Sequence, residues 1–459
     1  MNRYFEPARE IKVRAEVDIL VVGGGPAGIM AAEAAAKGGK TKGGKTKVML
    51  LEQRGFLGGN LILGLPILSM LDKDGNQIIK GATGKFVERL QKIGKATGHK
   101  RCKLHISLTM VDPEAVKTLC WEIMDENGVE VLMYVNVVDT LVENGKVTGV
   151  IIESKAGREA ILAKTVIDCS GDADVAYRAG VECTKGDEKG RMQPPTLMFS
   201  MRGVNIDQVR DNVVNHSDKY GMDIMPPEQF REGNFTMVGY RDQLSDAISK
   251  GFNITVARTI FMTGLKDDEL WVNMTRVSGG DATDPASYTA VERECRRQMY
   301  DVARYLIEYI PGFENAWIET VPPFTGIRET RVIVGKYIMT SEDLLEARKF
   351  DDVIAVASYP IDLHHEEGGD CTLIYGKGSY DIPYRTLVPQ TIEGLLVAGR
   401  CSSMDHGAMA ATRVMSTVMA MGEAAGTAAR IAVLDGVEPS TVDVAKVQAA
   451  LIENGGYLG

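Results

Sequence analysis

The chain opens its regular patterning with an apolar run, Val17 to Val22, interrupted only by Asp18. Such a run, bounded by glycine, predicts a strand buried on both faces. Gly23-Gly24-Gly25-Pro26-Ala27-Gly28 follows, and the alanine-rich stretch Ile29 to Lys37 predicts a helix. A second buried strand is expected over Lys47 to Leu51, closed by Glu52. Together these make a βαβ unit. Gly84 to Ile93 is amphipathic, and Asp112 to Asn127 reads as a helix. From Val129 to Asp168 short apolar runs alternate with turns. Asn144-Gly145 and Ala156-Gly157 mark the corners of a three-stranded antiparallel ribbon,. Its last strand, ending at Thr165 to Asp168, returns to the main sheet. The texture changes after residue 200, where polar helices (Asp207–Asn215, Tyr288–Tyr309) alternate with irregular strands. Leu395 to Gly399 is again a buried strand. A small-residue helix follows it, from about Thr412 to Leu434. The organisation expected is therefore a nucleotide-binding domain over 1–200 and 376–459, with a substrate domain inserted over 201–375.

Between the first helix and second strand lies a tandem repeat, Gly38-Gly39-Lys40-Thr41-Lys42 then Gly43-Gly44-Lys45-Thr46-Lys47. Its GGKT strings resemble part of a phosphate loop. They follow a helix, whereas such a loop lies between a strand and a helix. That order favours a lengthened, solvated loop.

The glycine string has the context that GxGxxG needs. It follows a strand, opens a helix, and leads to an acidic residue at the end of the next strand. Gly23 allows the tight turn, Gly25 lets a pyrophosphate approach the backbone, and Gly28 lets helix and strand pack closely. The pyrophosphate would meet the helix start at Pro26 and Ala27, where free N–H groups and the dipole favour an anion. Glu52 is the expected ribose acceptor. It falls later than usual by about the length of one repeat copy. The fingerprint alone does not separate NAD from FAD.

Further segments carry a resemblance. Glu52-Gln53-Arg54-Gly55-Phe56-Leu57-Gly58-Gly59-Asn60 is similar to the ER-x-x-x-x-GG stretch of flavoproteins. Asp168-Cys169-Ser170-Gly171-Asp172-Ala173-Asp174 resembles their D-[AC]-[TS]-G-D-x-D element. Gly399-Arg400-Cys401-Ser402 resembles their C-terminal FAD motif. Gly326 to Arg331 and Tyr380 to Pro389 resemble further signatures. Residues 17 to 432 thus resemble the FAD-dependent oxidoreductase family, a distant relative of the fumarate reductase and succinate dehydrogenase flavoproteins. The resemblance implies an α/β fold: a Rossmann-like FAD-binding domain of the GR2 type with an inserted α+β substrate domain. It implies one non-covalent FAD, held by the residues already named together with Gly58, Gly59, Asn60, Ser170, Gly171, Asp172, Gly399, Arg400 and Met415. The last lies where the C-terminal helix would favour charge on a reduced flavin.

Candidate chemistry beyond the cofactor is sparser. Of six histidines, three fall in the window 364–406. His364 is the expected acid/base and His406 the second choice, since histidine titrates near neutral pH. The Asp362-to-Glu367 stretch lacks HExxH spacing, and no metal is expected. Arg328 and Arg331 would share a face if helical and could clamp a substrate carboxylate. A structural salt bridge with Glu329 or neighbouring acids is the alternative. His406-Gly407-Ala408 with Arg413 resembles the HGANR element of fumarate reductases, where the arginine grips substrate. Cys401 has no partner at CxxC spacing. Gly376-Lys377-Gly378-Ser379 lacks the third glycine of a second dinucleotide site.

Composition narrows the class of function. A net charge of -10 argues against a nucleic-acid partner,. Seven unpatterned cysteines fit a reducing cytoplasm,. The polar N-terminus lacks the apolar core of a signal peptide. No run of about 18 apolar residues suggests a membrane span. The expected partners are a small-molecule substrate and an electron donor or acceptor of unknown identity, and a homo-oligomer is left open. Rival readings are a fumarate-type reductase, an RNA-modifying flavoprotein, and a flavin-binding subunit that only relays electrons.

Overall fold

The computed structural model describes residues 4–37, 46–218, 230–365, 367 and 369–459. Most of the tandem repeat therefore lies outside the described residues.

The main sheet is built around the strand Lys12–Val22. It pairs in parallel with Val48–Glu52 on one side and with Gly157–Asp168 on the other. Glu130–Met133 extends the sheet in parallel beyond Val48–Glu52, and Leu395–Val397 runs parallel to Gly157–Asp168. The registers Val22↔Leu51, Val22↔Asp168 and Val397↔Asp168 bring the carboxyl ends of these strands to one edge. In open parallel sheets that edge is where ligands bind. The expected ribbon is present, with Asn136–Glu143, Lys146–Ser154 and Gly157–Asp168 pairing antiparallel. Asn144 and Gly145 both take positive φ, +50° and +76°, as a tight hairpin corner requires,.

The helix Pro26–Ala36 lies against the long helix Met415–Asp435. A Cβ added at Gly422 or Gly426 would overlap the carbonyl oxygens of Ala27 or Ala31. Glycine at those two positions is what lets the helices touch backbone to backbone. The helix expected from about Thr412 to Leu434 is present as Met415–Asp435, and an unexpected short helix, His406–Thr412, precedes it across a break at Arg413 and Val414. Val414 is extended (φ −66°, ψ 146°), so a fresh helix N-terminus begins at Met415.

The inserted layer is a five-stranded antiparallel sheet ordered Thr236–Gly239, Thr259–Thr263, Leu270–Val272, Phe199–Arg202, Trp317–Thr320. Pro285–Tyr309 and two shorter helices cover it around a core that includes Phe199, Phe261, Tyr305 and Phe313. After this sheet the chain returns to the core between the main sheet and its helices, where Val332, Met339, Ile354, Ile382 and Leu387 pack with Ile19, Val21 and Ile29. Arg328 and Arg331 do not share a helix. Arg331 begins the strand Arg331–Ile333, paired antiparallel with Cys183–Lys185, and Arg328 precedes it in irregular chain. The pairing with Cys183–Lys185 overrides any local helical tendency.

Among the described residues, no helix is long and apolar enough to cross a membrane.

Candidate functional site

A cavity of about 800 Å³ runs along the carboxyl edge of the parallel strands. Its floor is the glycine turn. Gly23 has φ +102°, and a Cβ there would come within 2.5 Å of the Cys169 carbonyl oxygen. A Cβ at Gly28 would overlap the Gly23 carbonyl oxygen, so this glycine serves helix–strand packing. Gly25 differs. A Cβ there would meet only the Gly59 Cα, at 4.0 Å, so the space above it belongs to the cavity. Gly25 caps the helix Pro26–Ala36 without any side-chain cap, which leaves the first N–H groups available to a ligand anion,. An open cradle over an uncapped helix start is what a pyrophosphate needs, so these residues fit a dinucleotide.

Glu52 is buried and accepts from the Gly24 and Arg54 backbone N–H groups, both at 2.8 Å. Burial pushes its carboxyl up, against those two bonds. Gln53, Arg54, Gly59 and Asn60 line the cavity beside it. Gly58 does not: a Cβ there would point at Ile62 and Val116. Its N–H donates to the Gly24 carbonyl at 2.9 Å and so fixes the loop.

Asp168 organises the opposite wall. It is fully buried and accepts from the Ser170 N–H and hydroxyl at 3.0 and 2.6 Å. It also accepts from the Val175 and Ala176 N–H groups at 2.9 and 3.0 Å. This holds Ser170, Gly171 and Asp172 against the cavity. Arg400, beside Gly399, pairs with Asp172, and both bond the Thr330 hydroxyl. Arg331 lines the same wall but is engaged: it donates to the Asp172 carbonyl at 2.8 Å and to Asp174 at 2.7 Å. Its guanidinium also lies over Tyr177.

Thus every predicted cofactor residue except Gly28 and Gly58 lines the cavity, including Pro26, Ala27, Gly399 and Met415. The sequence reading missed Val135 to Val138, Tyr177, Tyr288 and Phe324, which also line it. Val135 to Val138 follow a strand parallel to Val48–Glu52, so they reach the same edge as Gly23 and Gln53. Reading Val129 onward as ribbon alone hid that strand. Tyr288 comes from the inserted layer's long helix and donates to the Thr325 carbonyl at 2.8 Å. Arg54 stacks on Phe324, 3.3 Å from the ring centre.

At the far end the helix break places Arg413 and Met415 on the cavity. Arg413 donates to the Asp362 backbone carbonyl and to Gln193 Oε1, each at 3.3 Å. Its Nε has no partner among the described residues. The Asp362 carboxylate lies 3.4 Å from His364 Nε2 and accepts from the Tyr359 hydroxyl at 3.0 Å. Burial opposes its charge, but His364, Arg413 and His105 outweigh it and hold the carboxylate well below the usual range. Burial, then the Arg328 charge, pushes His364 down to about 4, so its ring is neutral at pH 7. His364 lines a smaller cavity with Arg328 rather than the large one.

His406 also stands off the large cavity. Its Nδ1 is 2.8 Å from Glu329, which in turn accepts from the Gln193 N–H at 2.8 Å. Desolvation lowers the His406 pKa, and the Glu329 bond and charge more than offset it, leaving a net rise. Cys401 is fully buried, and burial with the Asp168 charge raises its thiol far out of the thiolate range. The Gly376–Ser379 stretch leads into the strand Tyr380–Pro383, not into a helix. Among the described residues, no three His, Cys, Asp or Glu side chains are grouped to hold a metal.

The parallel sheet, its glycine turn and the edge-on cavity define a dinucleotide-binding protein of the Rossmann-like class. The chain belongs to the FAD dependent oxidoreductase family, whose model matches residues 18–451. It is accordingly a flavoenzyme with FAD as cofactor. A thiamine thiazole synthase from Methanococcus aeolicus is 28% identical over 200 residues, which are 39% of this chain. The match spans only 63% of that relative's length. Among solved structures, a geranylgeranyl bacteriochlorophyll reductase-like protein from Thermoplasma acidophilum is 14% identical, with a TM-score of 0.46. That alignment covers 96% of this chain and 84% of the other. The p-nitrophenol 4-monooxygenase from Pseudomonas putida is 12% identical, covering 95% and 84% of the two chains, with a TM-score of 0.45.

Proposed function

We propose that the enzyme oxidises or reduces a small organic compound by hydride transfer, in the region where the main sheet's carboxyl edge meets the inserted layer. The observation that carries this reading is the position of Arg413. Arg413 lines the cofactor cavity, donates to the Asp362 backbone carbonyl and lies 3.8 Å from the Asp362 carboxylate, which neighbours His364. That links a candidate acid/base pair to the cofactor's end of the site.

Bound FAD supplies the two-electron acceptor or donor. The helix start at Gly25, Pro26 and Ala27 would hold its pyrophosphate, and Glu52 a ribose hydroxyl. The N-terminus of Met415–Asp435 would favour negative charge on a reduced flavin held against it,. His364, neutral in its buried seat, accepts the proton of a substrate hydroxyl or amine. Asp362 then stabilises the imidazolium that forms. In the reverse direction the same imidazolium returns the proton. His406, held by Glu329, is the second candidate for this role. Domain insertion near residue 200 supports a substrate seat between the two layers, where clefts are commonly found. All seven cysteines are free, which supports a cytoplasmic setting,.

The test is anaerobic single-turnover reduction of the flavin, after a panel of sugars, hydroxy acids and amines has identified a compound that bleaches it. His364→Ala is expected to slow that step about 10²–10⁴-fold with FAD content unchanged. Parent rates in both His364→Ala and His406→Ala would refute the histidine assignment.

A further inference from the structure

Arg276 follows the strand Leu270–Val272 and carries no local sequence signature. Its residue is only 5% exposed, yet its Nε and Nη2 have no hydrogen-bond partner among the described residues. A guanidinium is five fixed donors that cannot be neutralised, and Nε and Nη2 carry three of them, so leaving these unused in the interior is costly. The side chain lines a second cavity of about 20 Å³, which it shares with Arg328, His364, Arg258 and Cys371. That volume exceeds the roughly 10–15 Å³ needed for one water.

The charges around this cavity do not balance. Arg258 is committed to Asp370. Arg328 donates to the Pro194 carbonyl and has no carboxylate partner among the described residues. Arg413 stands behind it, close enough that its charge acts on Arg328. Asp370, itself on the wall, also acts on Arg276, and among the described residues Asp362 is the acidic group that Arg276, Arg328 and Arg413 share. His364 adds no negative charge. The interior therefore concentrates positive charge around a hole with free, planar donors. Gln193, 2% exposed, adds an Nε2 with no partner among the described residues, its Oε1 being taken by Arg413 and by the His364 N–H.

We infer that the small cavity seats a substrate carboxylate, bound by Arg276 and Arg328. The planar fork of a guanidinium matches the two oxygens of a carboxylate. The inference rests on the hydride-transfer reading above and narrows its substrate to an organic acid. The cavity has room for the acid group at most, so the reacting carbon lies outside it, on the His364 and Arg413 side,. Arg276 is a substrate-binding residue in this account.

The test uses the purified holoprotein at constant ionic strength. Acetate and malonate are titrated against acetamide, malonamide and chloride, with melting temperature and the flavin's visible spectrum as readouts. The carboxylates are expected to act saturably and the amides not at all. Arg276→Gln is expected to weaken the carboxylate effect at least tenfold while FAD per chain stays at the parent value. Arg276→Lys, which keeps charge and loses the fork, should fall between. Equal responses to acids and amides, chloride binding as tightly as malonate, or parent affinity in Arg276→Gln would overturn the inference. Should the glutamine variant fail to fold, the acid–amide contrast in the parent decides. Neither readout needs turnover. Saturable acid binding with no compound able to bleach the flavin would uphold the seat and sink hydride transfer. A neutral substrate that bleaches it without any acid binding would do the reverse.

Discussion

Valine at position 25 should empty the cofactor site without unfolding the protein. The backbone there (φ −80°, ψ −169°) is extended and open to any L-residue. The nearest protein atom to an added Cβ is the Gly59 Cα at 4.0 Å, an ordinary contact. The apoprotein should therefore lose no more than about 1 kcal/mol, the scale of a substitution that makes no clash or cavity. The two γ carbons would instead fill the space over the uncapped helix start. A pyrophosphate displaced from it forfeits charge-assisted bonds worth about 1.5–3 kcal/mol each. Losing one lowers affinity about ten- to a hundredfold, and losing two about 10²–10⁴-fold. The assay is titration of apoprotein with FAD, paired with thermal melts of the apo forms. Gly28→Ala is the control with the opposite signature, since its Cβ overlaps the Gly23 carbonyl oxygen and should damage folding itself. Parent FAD affinity in Gly25→Val, or an apo form as unstable as Gly28→Ala, would refute the reasoning.

Glu52→Gln keeps the shape of the acceptor and removes its charge, so FAD affinity should fall about tenfold or more; equal dissociation constants for the two proteins would contradict the ribose assignment. Stability should fall on acidification, because His105 and His364 are both held near 4, below their ordinary 6.5. The unfolded chain then protonates first, so stability is full above pH 6.5 and is lost as pH falls toward 4. The loss is up to about 1.4 kcal/mol per pH unit for each histidine. Urea unfolding of the apoprotein across that window, compared with a His105→Gln, His364→Gln double variant, checks the slope; identical slopes would exclude the two histidines as its source.

The parts of the fold legible in sequence are those with local causes. Val17 to Val22 and Leu395 to Val397 announce themselves as buried strands because both faces are covered,. The Asn144-Gly145 and Gly157 corners show because positive φ demands particular residues,. The cofactor residues were legible for the same reason: turn, helix start and acidic strand end stand in fixed sequence order. The helix break at Arg413 was hidden, since Arg-Val carries no glycine or proline to mark it. Arg331 looked like a substrate clamp, but its partners Asp172 and Asp174 come from a loop some 160 residues earlier. Arg276, Gln193 and Arg413 gain their meaning only where the two layers meet, and no spacing along the chain encodes that.

The most direct test of the account is the fate of the flavin on denaturation. Protein purified without added cofactor is precipitated with acid, and flavin is quantified in supernatant and pellet. The cavity and its unencumbered glycine cradle predict a yellow protein that releases close to one FAD per chain into the supernatant. A colourless protein that cannot be reconstituted with FAD would contradict the cofactor site, and flavin retained in the pellet would contradict the non-covalent link.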